Sequence, residues 1–198
     1  MRAISILIGI AAVIGLAGQS SAAETSASAY AGQQSRSIKA LSDEDIASLR
    51  NGEGMGLAKA AELNGYPGPR HVLAIAGELR LNDAQVGQVT AIHDRMSAAA
   101  RPLGVELIER EGLLDQLFAK TEITSERLTA ETAAIGEIQG RLRAVHLAAH
   151  LETRAVLSAE QAAQYDRLRG YTKAGLSDDG PRTEPGRNDQ SHPAGHHH

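Results

Sequence analysis

Leu81-Asn82-Asp83-Ala84-Gln85 and Leu157-Ser158-Ala159-Glu160-Gln161 repeat one pattern, Leu-(Asn/Ser)-x-x-Gln, and each copy opens a helical stretch. The polar second residue, Asn82 or Ser158, is suited to cap the helix, its side-chain oxygen accepting from a free backbone N–H of the first turn. Gln85 or Gln161, three residues on, can reach back to the cap's own N–H and complete a capping box. The leading leucines are placed for hydrophobic staples, Leu81 onto Val86 and Leu157 onto Ala162. One such box is a common helix start. Two with the same leading Leu, bracketing a long helical stretch, define an architecture.

Between the boxes lie two stripes. From Asp83, apolar or small residues recur at Val86, Val89, His93, Met96, Ala100, Leu103, Leu107, Leu114 and Leu117, in steps of three and four. Pro102 and Gly104 interrupt this stripe. A mid-helix Pro loses one backbone hydrogen bond and crowds the carbonyl four residues back, costing roughly 3 kcal/mol in a straight helix. The stripe stays in phase, so a bend over residues 98–103 is expected rather than two helices. Residues 120–124 form a short connection, with Thr124 able to cap the next helix. The second stripe runs Leu128, Glu131 or Thr132, Ile135, Ile138, Leu142, Val145, Ala149, Glu152 and Val156. Gly136 and Gly140 weaken its outer face. A short link makes the two helices antiparallel neighbours. The second box opens a last helix over about 159–170, with Tyr165 and Leu168 on one side.

Upstream, Leu41-Ser42-Asp43-Glu44-Asp45-Ile46 carries a Ser cap inside a Leu41/Ile46 staple and predicts a short helix to about residue 50. Gly52, Gly54 and Gly56 break the chain. A second short helix is expected over 55–63, ended by Asn64-Gly65, and a third from Pro69 to about residue 79. No strand pattern of useful length appears. The expected fold is therefore all-α: a bent antiparallel helical hairpin with short flanking helices. Both stripes are narrow and Ala-rich, so dimerisation or wrapping by the N-terminal helices is expected to complete the core.

The ends read differently. Arg2, an apolar run over 3–18 and Ser21-Ala22-Ala23 suit an export signal cleaved after Ala23; an uncleaved anchor is the alternative. Residues 24–40 are rich in Ser, Ala and Gln and read as a flexible leader, 41–171 as the helical domain, and 172–198 as a disordered tail. The chain has no Cys, which excludes disulfides and thiolate metal ligands. Only 3 % of residues are aromatic, which suits thin, close-packed helices. A formal net charge of −4 with no concentrated basic face gives no reason to expect nucleic acid.

With the signal-like start, the two Leu-x-x-x-Gln boxes, the hairpin between them and the lack of Cys, residues 74–171 resemble the LTxxQ-motif group. This is the Spy/CpxP family of periplasmic helical proteins, related to CnrX-like periplasmic heavy-metal sensors. The first box carries Asn82 where Thr or Ser is usual. The resemblance implies a periplasmic bent hairpin that dimerises into a cradle. It implies an envelope-stress role as an ATP-independent chaperone of unfolded clients, or as a regulator of a membrane-bound sensor or anti-sigma partner. A CnrX-like member would bind a divalent transition metal through His and carboxylate ligands. Gly54-Met55-Gly56-Leu57-Ala58-Lys59-Ala60 through Pro67-Gly68-Pro69 resembles a segment of the group without a role that chemistry assigns.

The histidines are the sharpest chemical clue. His146 and His150, four apart on one helix, project from one face, a spacing that suits two imidazoles on one metal. In a hairpin turning at 120–124, residues whose numbers total about 245 face each other. His93 then falls opposite Glu152, within a turn of His150. His93, His146, His150 and Glu152 could converge, with Met96 nearby, as a site for zinc, nickel, cobalt or copper. The same residues also suit satisfied structural histidines, with His146 at the partly exposed edge of its stripe, or a pH-responsive interface. His71 is expected to be exposed. His192 and His196-His197-His198 in the tail could hold metal loosely, or be a chance run or appended tag.

Enzymatic patterns are missing from the sequence. His146-Leu147-Ala148-Ala149-His150 lacks the Glu that follows the first His in zincin proteases, and no Gly-x-Ser-x-Gly or phosphate loop occurs. Glu106, Glu109, Arg110 and Glu111 read as a solvated face, and Glu137 with Arg141 as an intra-helix pair. The expected function is non-enzymatic: partner binding through shallow apolar contact at Leu103, Leu107, Leu114 and Leu117 where they are uncovered. Metal sensing through His93, His146 and His150 is the alternative.

Overall fold

The computed structural model describes residues 28–171; the expected export signal and the expected disordered tail lie outside the described residues. These residues fall into two units, 28–35 and 36–171. The first holds one turn of 3₁₀ helix, Gln33–Ser35. The second holds six helices: α1 Asp43–Asn51, α2 Lys59–Glu62, α3 Pro69–Ala74, α4 Asp83–Ala119, α5 Ser125–Val156 and α6 Ala159–Leu168. Among the described residues there is no strand beyond an isolated Ile38–Leu41 bridge. The all-α expectation holds. No described helix is long and apolar enough to cross a membrane.

α4, of 37 residues, and α5, of 32, form the antiparallel hairpin. Cross-hairpin pairs follow the expected register to within one turn: Arg95–Glu152 at 2.6 Å, Arg110–Glu131 at 3.2 Å and Glu106–Arg141 at 3.8 Å. Arg141 thus reaches across to Glu106 rather than along its own helix to Glu137. α4 is unbroken through Pro102, whose ring is solvent-exposed. Thr124 caps α5 by accepting from the Arg127 N–H at 3.3 Å.

Two apolar clusters divide the bundle. One joins Leu49 of α1 to Ala100, Leu103 and Leu107 of α4 and to Ile135, Ile138 and Leu142 of α5. Its tightest point is Gly104, where a Cβ would stand 2.2 Å from the Leu49 carbonyl oxygen. Gly104 therefore docks α1 rather than interrupting the stripe. The other cluster joins Val72, Leu79, Val89, Leu157 and Tyr165, with Leu81 packed against it. Both leading leucines of the boxes enter this second core. The stripe reading missed Ile92 and Thr153, both buried. Thr153 donates its hydroxyl to the Ala149 carbonyl at 2.7 Å, which lets a polar residue face the core.

The short helices depart from expectation in their lengths. α1 has its full capping box, Ser42 with Asp45, and ends on Gly52 at φ 71°. α2 is only Lys59–Glu62, because Met55 (φ 42°) and Gly56 (φ 78°) take left-handed conformations that a helix cannot include. α3 stops at Ala74, and residues 75–80 continue as turns that carry Leu79 into the core. Lys39, in the expected flexible leader, is tied to Asp115 by its N–H at 3.2 Å and its ammonium at 3.1 Å.

Candidate functional site

The two capping boxes are complete. Asn82 Oδ1 accepts from the Gln85 N–H at 2.9 Å while Gln85 Oε1 accepts from the Asn82 N–H at 3.2 Å. Ser158 and Gln161 repeat the arrangement at 3.2 and 3.0 Å. Beyond their own helices, the glutamines bond each other. Gln85 Nε2 donates to Gln161 Oε1 at 2.8 Å, and Gln161 Nε2 donates to Gln85 Oε1 at 3.1 Å. Gln85 also donates to the Val156 carbonyl at 3.0 Å, and Gln161 to that of Leu79 at 3.3 Å. The boxes are one structural unit that ties the start of α4 to the start of α6. Sequence reading found both glutamines but not their contact, which only the hairpin's closure creates.

The family model described as "LTXXQ motif family protein" matches residues 70–169, which take in both boxes and the hairpin between them. The chain belongs to the LTXXQ motif family. No curated protein and no solved structure matches it. It is a Spy/CpxP-like helical protein, of a family whose members are typically periplasmic.

In this LTXXQ chain the four histidines among the described residues share one cavity. A cavity of about 620 Å³ is lined by His71, His93, His146 and His150 together with Met96, Ser97, Glu62 and the Gly-rich turn over 51–56. The sequence expectation that His93, His146 and His150 share one region is met in that sense. Glu152 is the exception. It lies two residues past His150, about 200° around the helix, so it faces away when His150 faces in. Its carboxylate instead accepts from Arg95, and His93 sits 3.4 Å from its neighbour Asp94.

His146 is only 2 % exposed, not at a partly exposed edge, and its Nε2 has no hydrogen-bond partner. Burial, with the charge of His150 adding to it, pushes its pKa below the usual imidazole range. His150 Nδ1 lies 2.7 Å from the Tyr66 carbonyl oxygen. A carbonyl only accepts, so Nδ1 carries the proton. The other edge of the ring lies on Gly68, where a Cβ would come within 2.9 Å of Nε2. His150 thus bonds backbone through Nδ1 and packs its Nε2 edge against Gly68. Among the described residues no three His, Asp or Glu side chains converge as a metal-binding set. The residues present do not fit the four-ligand centre expected from sequence.

Glu62 is the residue that sequence reading missed. It is buried, and its Oε1 accepts from the Tyr165 hydroxyl and, at 3.1 Å, from the Tyr171 hydroxyl. Its Oε2 accepts from the Gly68 N–H at 3.0 Å. His71, His150 and Arg169 stand at 3.4, 3.7 and 3.8 Å. Burial pushes the carboxyl pKa up, but the bonds from Tyr165 and Gly68, the His71 charge and the Tyr171 bond together hold it below the usual range. Burial and the Glu62 bond push the Tyr165 phenol upward. The only sequence signal for this hub is Gly68 between two prolines, a backbone site requiring close approach. The segment around it, without a role in the sequence, supplies the cavity wall and the carboxylate that holds α2, α3 and α6 together.

The apolar residues expected to touch partners are largely core: Leu103, Leu107 and Leu117 are buried and Leu114 is half-buried. The large side chains left uncovered are others, among them Leu113, Phe118 (55 % exposed) and Leu128 (40 % exposed). Phe118 and Leu128 flank the turn that joins α4 to α5.

Proposed function

We propose that this protein acts in the periplasm as a non-enzymatic partner-binding protein of the Spy/CpxP kind, serving as a chaperone or regulator in envelope stress. The carrying observation is the uncovered apolar surface at the hairpin turn, Phe118 and Leu128, on a chain whose family members are typically periplasmic. A small apolar patch gives weak, reversible contact, which suits unfolded clients or a membrane-bound regulatory partner and needs no nucleotide. A homodimer would double the patch and form a cradle. The test is aggregation of a chemically unfolded client at near-stoichiometric ratios. The protein is expected to slow it, and a Phe118→Ser, Leu128→Ser variant to lose most of that effect. Unslowed aggregation, or full activity in the variant, contradicts the proposal.

A second reading, metal sensing through His93, His146 and His150, is favoured by one observation, the cavity those histidines share. The packing of Gly68 against the Nε2 edge of His150 and the outward turn of Glu152 weigh against it. Calorimetry on a chain with His192, His196, His197 and His198 replaced by Ala separates the two. Zinc, nickel, cobalt or copper bound tighter than about 10 μM, roughly 7 kcal/mol, would favour sensing.

A further inference from the structure

The uncovered apolar surface at the hairpin turn lies where the chain concentrates its charge. Residues 106–131 are the last turns of α4, the link and the first turns of α5. They carry seven Asp and Glu against three Lys and Arg. The rest of the chain carries seventeen of each, so the formal net charge of −4 belongs to this end of the hairpin. Part of it is compensated. Arg110 pairs Glu131, and Lys39 and Arg141 reach in to pair Asp115 and Glu106. Among the described residues no ion pair takes up Glu109, Glu111, Glu122 or Glu126, and on the basic side none takes up Lys120 or Arg127. Carboxylates remain in excess after every pair is counted.

The nearest of them lie beside the apolar side chains. Glu111 precedes Leu114 by three residues and Phe118 by seven, so the three share one face of α4. Glu111 is half-buried, and burial pushes its carboxyl pKa up with no bond or cation opposing it. Glu122 is exposed in the link between the helices that carry Phe118 and Leu128. The free cations stand to the side. Lys120 follows Phe118 by two residues, about 200° around the helix, and Arg127 is about 100° from Leu128. Glu109 and Glu126, each two residues from Glu111 and Leu128, are turned away in the same manner.

Building on the partner-binding reading of Phe118 and Leu128, we infer that this surface selects protein segments in which Lys or Arg flanks an apolar or aromatic side chain. The apolar side chain covers Phe118 and Leu128, which are 55 % and 40 % exposed. The guanidinium or ammonium beside it meets Glu111 and Glu122 in charge-assisted bonds. Apolar contact supplies the affinity, and charge supplies the preference. An acidic segment meets its own sign within the Debye length of about 8 Å. A second copy turned tip to tip is opposed in the same way, and so is an anionic lipid surface.

The test reads fluorescence anisotropy of two labelled peptides on the full-length protein, in about 20 mM and about 200 mM salt. Both carry the same Leu-Phe-Leu-Phe core, one flanked by two lysines at each end, the other by two glutamates. The lysine peptide is expected to bind about tenfold tighter or more at low salt, and that preference to shrink severalfold at high salt. Glu111→Gln with Glu122→Gln is expected to cut the preference below about threefold with helicity unchanged. Glu78→Gln, an exposed change in the turns after α3, is expected to leave it intact. Phe118→Ser with Leu128→Ser is expected to weaken the lysine peptide by about tenfold or more, with the sedimentation mass of the parent. A changed mass would place a second copy on the patch and overturn the inference. Equal binding of the two peptides, preference for the glutamate peptide, or a preference that survives Glu111→Gln with Glu122→Gln overturns it and leaves the partner-binding reading standing. Binding of neither peptide also overturns it, and the partner-binding reading falls with it only if client aggregation is unslowed as well.

Discussion

Glu62 illustrates how one carboxylate can organise a small bundle. It gathers two tyrosine hydroxyls, a glycine N–H, His71 and Arg169 from two stretches of the chain, 68–71 and 165–171. Its folded pKa is depressed, so its contribution to stability is complete above the ordinary value of 4.5 and is lost as pH falls through the folded value. Glu62→Gln is expected to lower stability at neutral pH by about 1–3 kcal/mol in urea denaturation, because buried hydroxyls lose a charged acceptor. The gap between variant and parent is expected to narrow below that pH; a constant gap contradicts the assignment. His146 also has a depressed folded pKa, from burial first and the His150 charge second. Its stabilising contribution is complete above 6.5 and declines on acidification, since the unfolded chain there binds the extra proton. In His146→Leu, the loss of stability that begins near pH 6.5 is expected to disappear. An unchanged pH profile would refute the burial argument.

At the scale of elements, glycines of similar appearance in the sequence have opposite roles. Gly104 lets the α1 backbone rest on α4, and a Cβ there would stand 2.2 Å from the Leu49 carbonyl oxygen. Gly104→Ala is expected to cost roughly 1–3 kcal/mol, as overpacking does, and to raise amide exchange selectively in α1. Gly136 and Gly140 on the outer face of α5 meet nothing within 4 Å. Each Ala substitution there is expected to stabilise by up to about 1 kcal/mol, the helix-propensity difference alone. Thermal melts of the three variants decide it, and a destabilised Gly136→Ala would show that this face is covered. The long helices and their caps were legible because periodicity and capping chemistry are local. The lengths of α2 and α3 were not, because Met55 and Arg80 take left-handed turns for which their residue types have no local preference. Of the left-handed positions Met55, Gly56 and Arg80, only Gly56 carried a sequence signal.

On the scale of the whole molecule, the hairpin register was readable from the short 120–124 link, and it put His93, His146 and His150 around one cavity. The same arithmetic failed for Glu152, since residue numbers give height along a helix but angle decides which way a side chain faces. Glu62 and the cavity wall were hidden for another reason: they come from a Gly- and Pro-rich segment whose path depends on the bundle it wraps. What closes that bundle is the meeting of the two boxes. A double-mutant cycle on Gln85→Ala and Gln161→Ala, read by urea denaturation, measures it directly. Each single change is expected to cost about 1–3 kcal/mol, and the pair to fall short of additivity by more than about 0.5 kcal/mol, because removing either glutamine already breaks the shared bonds. Strict additivity would mean that the boxes cap their own helices and do not hold each other.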